Sequence, residues 1–389
     1  MSQNKEMKYF KGKMKESSSV NVLLGTDFFG WIRVLVKIRF YVALNKIPLA
    51  VLITVTSFFN TLLFWIEWAV FGFWVSKIKI NEPPVFILGH WRSGTTLIHE
   101  LIGLDRRHVY PTNWDCFVAN HFLLTGWFLK PLLKRLLPDK RPQDNMPVEF
   151  DLPQEDECAL SCLGAPSAYM HFFFPKNRQA YYSLHDIEKQ SKSDQKRWQR
   201  IYLWFLKRVI YTRPGRLISK SPTHAFRIKT LLRLFPEARF VNIIRNPYHV
   251  VNSTLNLYKS VSASYNIGPL AENGLEDFVL DVFLEMHAKL NATKSLIPEG
   301  NYQEIFYEDL ILDPDKELKK VYEGLGLGSY EENLQPALKR YFADRADYQP
   351  NKFVMDPELY NAVSGKLGDI IKQYGYEVLS AAETSSLKD

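Results

Sequence analysis

Short apolar runs recur along the chain, and each ends in a turn signal. Val85 to Leu88 stops at Gly89, and Val109 leads into Pro111. Leu217 to Lys220 stops before Ser221-Pro222, and Phe240 to Ile244 runs into Arg245-Asn246-Pro247. Tyr302 to Phe306 precedes the polar string Tyr307-Glu308-Asp309. Runs of this length, with hydrophobic residues at consecutive positions, read as strands buried on both faces. Helical patterns alternate with them, one starting at Thr95-Thr96-Leu97 and one near Asp315 to Leu325, ended by Gly326. The stretch from Trp114 to Arg213 is helical and rich in aromatic residues. This alternation predicts an α/β fold, a P-loop-like central parallel β-sheet flanked by helices.

The first 80 residues follow another pattern. Phe28 to Leu44 is apolar with Arg33, Lys37 and Arg39 interspersed, as in an interfacial helix on anionic lipid. Ile47 to Val75 is apolar except for a few positions such as Asn60 and Glu67, and exceeds the ~20 residues a bilayer requires; Glu67, near its end, is tolerable at a membrane interface. It starts too late for a cleavable signal peptide. Three arrangements suit it: a type II anchor, a monotopic hairpin in one leaflet, or a helical lid packed on the enzyme. The expected organisation is an N-terminal basic, apolar, membrane-associated helical segment (1–80), a catalytic domain (81–378) and a disordered tail (379–389).

Charge sharpens this division. The first 80 residues hold 11 Lys/Arg against 4 Asp/Glu, and the remainder holds 38 of each. The whole formal charge of +7 therefore lies in the N-terminal part. That argues against a nucleic-acid surface on the main domain and favours an anionic membrane as partner. Three cysteines without a C-x-x-C pair make a disulfide framework or zinc site improbable.

The chemistry concentrates at two strand ends. In Gly89-His90-Trp91-Arg92-Ser93-Gly94-Thr95-Thr96 a strand meets a helix N-terminus through a turn. Backbone N–H groups and the helix dipole make such a junction an anion site. The usual nucleotide loop reads G-x-x-x-x-G-K-[ST]. Gly89 and Gly94 keep the spacing, but Thr95 stands where the lysine would be, and the cation is Arg92. A γ-phosphoryl transferase is hard to build without that lysine. The bland alternative is a structural helix cap with Arg92 solvated. Farther on, Arg245 emerges at the carboxyl end of a strand, where open α/β sheets bind ligands. Pro247 suits the first helical turn, and Ser253 lies two turns along that helix. Arginine offers a planar fork for phosphate, although Arg-Asn-Pro alone is a weak signal. Together the motifs suggest a ligand with two separated phosphate groups.

Gly-x-x-Arg-Ser-Gly-Thr-Thr after the first strand, and Arg-x-Pro with a serine eight residues beyond the arginine, resemble the sulfotransferases that use 3′-phosphoadenosine 5′-phosphosulfate (PAPS). The loop as it stands resembles bacterial members, and the likeness runs from about Pro83 to about Phe353. The resemblance implies that Arg92, Ser93, Gly94, Thr95 and Thr96 bind the 5′-phosphosulfate. Arg245 and Ser253 would bind the 3′-phosphate. Lys220, at the end of its strand, would reach the bridging region, and with Arg92 would stabilise the leaving phosphate without a metal. A sulfuryl acceptor needs a general base. His224, Glu155 in the acidic string Gln154 to Glu157, and Asp115 are the candidates, and the sequence does not choose among them. The implied activity is sulfuryl transfer to a hydroxyl or amine of a lipid or carbohydrate, with the aromatic insertion favouring an apolar acceptor. The resemblance to bacterial members favours monotopic association with the cytoplasmic face of a bacterial inner membrane. A Golgi type II membrane enzyme is the alternative. Two other functions stay open: a P-loop kinase or NTPase with an atypical loop, and an inactive membrane-associated nucleotide-binding protein.

Overall fold

The computed structural model describes residues 21–134, 149–271, 273–343 and 355–378. Five strands form one parallel sheet: β1 (Val85–Leu88), β2 (His108–Val109), β3 (Arg216–Lys220), β4 (Arg239–Ile244) and β5 (Tyr302–Phe306). Their order is β2-β3-β1-β4-β5. β1 and β5 keep the expected limits. β2 is shorter and stops before Pro111, whose ring removes a ladder donor. The central β1 is buried along its whole length, because helices cover both faces of the sheet.

Register decides what meets at the sheet's carboxyl edge. Leu88 pairs with Asn242 across β1 and β4, and Ile87 pairs with Lys220 across β1 and β3. The loop after β1, the turn after β4 and Lys220 therefore leave three adjacent strands at one end. Apolar clusters lie on the sheet's two sides. One gathers Phe86, Trp198, Tyr202 and Phe205; another gathers Ile87, Ile98, Ile305 and Tyr322.

The N-terminal segment packs against the rest of the chain. Asp27 caps the helix Phe28–Lys37 by accepting from the Gly30 N–H. A turn with Arg39 and Phe40 in the left-handed region (φ 53° and 57°) then leads towards the 31-residue helix Ile47–Lys77. The segment expected as one helix from Phe28 to Leu44 thus breaks at this turn.

The long helix reads as uniformly apolar, yet it has two faces. Ile53, Ser57, Asn60, Glu67 and Val75 are buried, at helical spacing. Asn60 donates to the carbonyls of Leu24 and Thr26, and its Oδ1 lies 3.1 Å from His121 Nε2. Glu67, expected at a membrane interface, is instead 2 % exposed, and its Oε1 pairs with Arg208 Nη1 at 2.8 Å. Its Oε2 accepts from the N–H groups of Leu123 and Leu124. Drawing this helix alone into a bilayer would strand a buried arginine, a cost of several kcal/mol. The structure therefore has the packed arrangement, and the outward face carries Phe58, Phe59, Leu62, Trp65, Trp68, Phe73 and Trp74 exposed. By length and composition this helix could cross a membrane. The expected tail, 379–389, lies outside the described residues.

Candidate active site

The loop after β1 is built for close backbone approach. Gly89 (φ 143°) and Gly94 (φ 105°) flank it, and Arg92 itself adopts φ 68°. A side chain at Gly89 would meet Ser93 Oγ at 2.7 Å and the Ile243 carbonyl at 2.9 Å. One at Gly94 would meet the Tyr307 ring at 2.4 Å. Glycine is therefore required by both conformation and space. Arg92 has no such exemption, and holding it in the left-handed region costs about 1–3 kcal/mol that the surrounding bonds must offset. Ser93 Oγ donates to the His90 carbonyl at 2.8 Å, closing the turn. Gly94 then begins the helix Thr95–Gly103, whose first N–H groups face the loop.

The second motif joins the first. Asn246 caps the helix Pro247–Tyr265 through the Tyr248 N–H. Ser253 accepts from Arg92 Nε at 2.9 Å, and Arg245 Nη1 donates to the Arg92 carbonyl at 2.9 Å. Thr254 Oγ1 donates to the Trp91 carbonyl at 3.2 Å. The Arg245 guanidinium lies over the Tyr307 ring at 4.1 Å. Two segments 153 residues apart thus share one set of bonds.

Lys220 and Glu155 complete the group. Lys220 Nζ lies 2.7 Å from Glu155 Oε1 and 3.3 Å from Thr96 Oγ1. Glu155 is the N-cap residue of the helix Asp156–Cys162, but its side chain makes no capping bond among the described residues. Its Oε2 accepts from the Tyr169 hydroxyl, which in turn accepts from Trp91 Nε1 at 3.3 Å.

Glu155, Asp156 and Glu157 point to three different bases. Asp156 Oδ2 meets His224 Nε2 at 2.9 Å and also accepts from Tyr202 and Ser219. Glu157 meets Arg227 at 2.5 and 3.3 Å and accepts from Thr223 and Ser167. Burial pushes the Asp156 carboxyl up, but His224 and the hydroxyls outweigh it, holding its pKa below the usual value. Below β1, burial with Lys220 nearby lowers the His99 pKa to about 3, so its imidazole is neutral.

The structure bonds Arg92 to Ser253 and Arg245, and it bonds Lys220 to Glu155 and to Thr96 of the same loop, which also carries Ser93, Gly94 and Thr95. It does not bring the other two candidate bases there. His224 is fully buried behind the acidic string with Asp156. Asp115 closes a capping box with Thr112 at a short helix, and it pairs with Arg213. Tyr169, Tyr307 and Arg227 were not singled out by sequence. Trp91 was seen only as part of the loop. Their bonds join positions distant in sequence, so the one local signal was the spacing Lys220-x3-His224-x2-Arg227 facing three successive acids.

The sulfotransferase family model matches residues 83–332. The chain belongs to the sulfotransferase family. Two curated relatives have the same figures: omega-hydroxy-beta-dihydromenaquinone-9 sulfotransferase Stf3 from Mycobacterium bovis and from Mycobacterium tuberculosis. Each is 39% identical to this chain over 354 residues, covering 91% of both chains. Among solved structures, sulfotransferase STF9 from Mycobacterium avium aligns over 97% of both chains with a TM-score of 0.70 at 17% identity. STF1 from Mycobacterium tuberculosis aligns over 93% of this chain and 98% of its own, with a TM-score of 0.63 at 16% identity. These two share the fold. This sulfotransferase is an enzyme of PAPS-dependent sulfuryl transfer, and the kinase and inactive-protein alternatives are set aside.

Proposed function

We propose that the loop from Gly89 to Thr96 holds the 5′-phosphosulfate, that Arg245 and Ser253 hold the 3′-phosphate, and that Glu155 is the general base. The observation that carries this reading is the bonding of Arg92 to Ser253 and of Arg245 to the Arg92 carbonyl. Two anion motifs so joined suit one nucleotide with phosphates at both ends.

The chemistry follows from the side chains. Sulfuryl transfer passes through a loose, in-line transition state, by analogy with phosphoryl transfer. The bond from sulfur to the bridging oxygen breaks, and its electron pair stays on the leaving phosphate. Lys220 and Arg92 offset that growing charge. The acceptor oxygen forms the new bond to sulfur and yields its proton to Glu155. His224 is out of an acceptor's reach, since its ring is fully buried with Asp156. No metal enters the scheme.

The reading is tested by thermal unfolding with 3′-phosphoadenosine 5′-phosphate, the product nucleotide. At one hundred times its Kd this ligand is expected to stabilise the wild type by about 2.7 kcal/mol. Arg245→Ala and Arg92→Ala should each abolish most of that shift at the same concentration. Equal shifts in wild type and both variants would refute the assignment.

The acceptor is the hydroxyl of a membrane-resident isoprenoid quinone. The substrate named for the mycobacterial relatives, an omega-hydroxylated dihydromenaquinone, supports this class. So does the exposed apolar face of the Ile47–Lys77 helix, which suits a protein lying on a bilayer. The basic N-terminal segment favours anionic lipid, and a nucleotide made in the cytosol favours the cytoplasmic face of a bacterial inner membrane. The wild type should co-sediment with vesicles of phosphatidylglycerol and phosphatidylethanolamine. Trp65→Asp with Trp68→Asp should reduce that binding at least tenfold, because each large apolar side chain moved out of water contributes about 1.5–3 kcal/mol. A wild type that stays in the supernatant would overturn the membrane reading.

A further inference from the structure

Glu155 has three rotatable side-chain bonds and sits at a helix start without capping it. Something must hold such a carboxylate still if it is to take a proton at a fixed position. Among the described residues each of its oxygens has one donor: Lys220 at Oε1 and the Tyr169 hydroxyl at Oε2. Lys220 is also bonded to Thr96 of the phosphate loop, so it is shared between the base and the nucleotide site. Tyr169 is the donor with no proposed duty at the nucleotide.

Tyr169 is itself fixed. It is buried, its ring packs edge-on to Phe172 at 5.5 Å, and Trp91 lies beside it at 6.3 Å. Trp91 Nε1 donates to the Tyr169 oxygen. The Trp91 carbonyl in turn accepts from Thr254, on the helix that carries Ser253. Burial, with Glu155 beside it, raises the phenol pKa well above its ordinary value, so the hydroxyl stays protonated and donates. A continuous line of contacts therefore runs from the Pro247–Tyr265 helix, through the phosphate loop, to the carboxylate.

We propose that Tyr169 is the positioning residue of the base: its hydroxyl holds the Glu155 carboxylate in place, and through Trp91 it ties that carboxylate to the phosphate loop. This rests on the reading of Glu155 as base. Tyr169 keeps its proton throughout; the acceptor's proton passes to Glu155 alone. The groups facing the carboxylate are Lys220 from β3, Tyr169, and Cys158 of its own helix.

Tyr169→Phe keeps the ring and removes the hydroxyl. With an omega-hydroxylated dihydromenaquinone in detergent micelles as acceptor probe, it should lower kcat by about tenfold or more, as expected for a hydrogen bond to a charged group. The donor KM should stay within experimental spread of the wild type while kcat falls, a split that a merely structural role would not give. Trp91→Phe should lower kcat less, and the double variant should be no worse than Tyr169→Phe alone. An unchanged kcat in Tyr169→Phe overturns the proposal, as do losses in the two single variants that multiply. Glu155→Gln separates the two ideas. Full activity in that variant sinks the base assignment itself, whereas an inactive Glu155→Gln beside a fully active Tyr169→Phe sinks only the positioning role.

Discussion

Lys220→Ala is expected to lower kcat by about two to three orders of magnitude while changing the affinity for the intact donor PAPS only a few-fold. The physical ground is the difference between ground and transition state. Charge grows on the leaving phosphate only as the bond to sulfur lengthens, so a cation aimed there acts mainly on the barrier. Removing one preorganised group at a developing oxyanion costs about 2.7–4 kcal/mol. Lys220 is enclosed at the end of β3, with a side-chain exposure of 3 %, so water does not replace it readily. Lys220→Arg should recover little, because a planar fork cannot occupy the place of a compact ammonium between Glu155 and Thr96. Single-turnover kinetics with labelled donor, set beside nucleotide binding by calorimetry, check the split. A variant that loses binding and keeps kcat would place Lys220 in ground-state recognition instead.

Glu157→Ala should destabilise the protein by about 3–5 kcal/mol, the cost of leaving a buried charge without its partner. The Glu157 and Arg227 side chains are both fully buried, and the guanidinium packs over Trp198 at 4.8 Å. Alanine would leave that guanidinium with the Leu184 carbonyl, at 3.4 Å, as its remaining hydrogen-bond acceptor among the described residues. It would also remove one acceptor from the hydroxyls of Ser167 and Thr223, which keep Ser161 and Ser221 as partners. Glu157→Gln with Arg227→Met should recover much of the loss, because no unpaired charge remains. Urea unfolding followed by tryptophan fluorescence reads both variants. A single variant within 1 kcal/mol of wild type would show that water reaches Arg227. Glu155 stands beside Glu157 in the chain, so activity should fall with stability in the single variant and return in the double.

Much of the site was legible because its parts lie in short contiguous strings. A glycine pair around an arginine, followed by two threonines, combines loop conformation, cation and helix start within eight residues. Arg245-Asn246-Pro247 likewise carries a strand end and a helix start together. Strand limits were legible to a residue or two, since parallel strands buried on both faces are continuous apolar runs. Glu67 was misplaced because hydropathy averages over a window. One charge in a long apolar run looks like an interface residue until its partner Arg208, 141 positions away, is known. The acidic string was seen, but three adjacent carboxylates look alike in one dimension.

The sequence by itself determined the α/β class, the positions of the Gly89–Thr96 loop and of the helix after Arg245, and the two-part charge distribution. These depend on periodicity, turn chemistry and composition, which act over a few residues. The tertiary structure alone decided which acid meets which base. Glu155, Asp156 and Glu157 leave the start of one short helix in different directions, and only the placement of β3 and its following turn assigns them Lys220, His224 and Arg227. It also decided that the apolar helix lies against the enzyme through Asn60 and Glu67. Pairing across long chain separations depends on packing the whole sheet, and no local pattern encodes it.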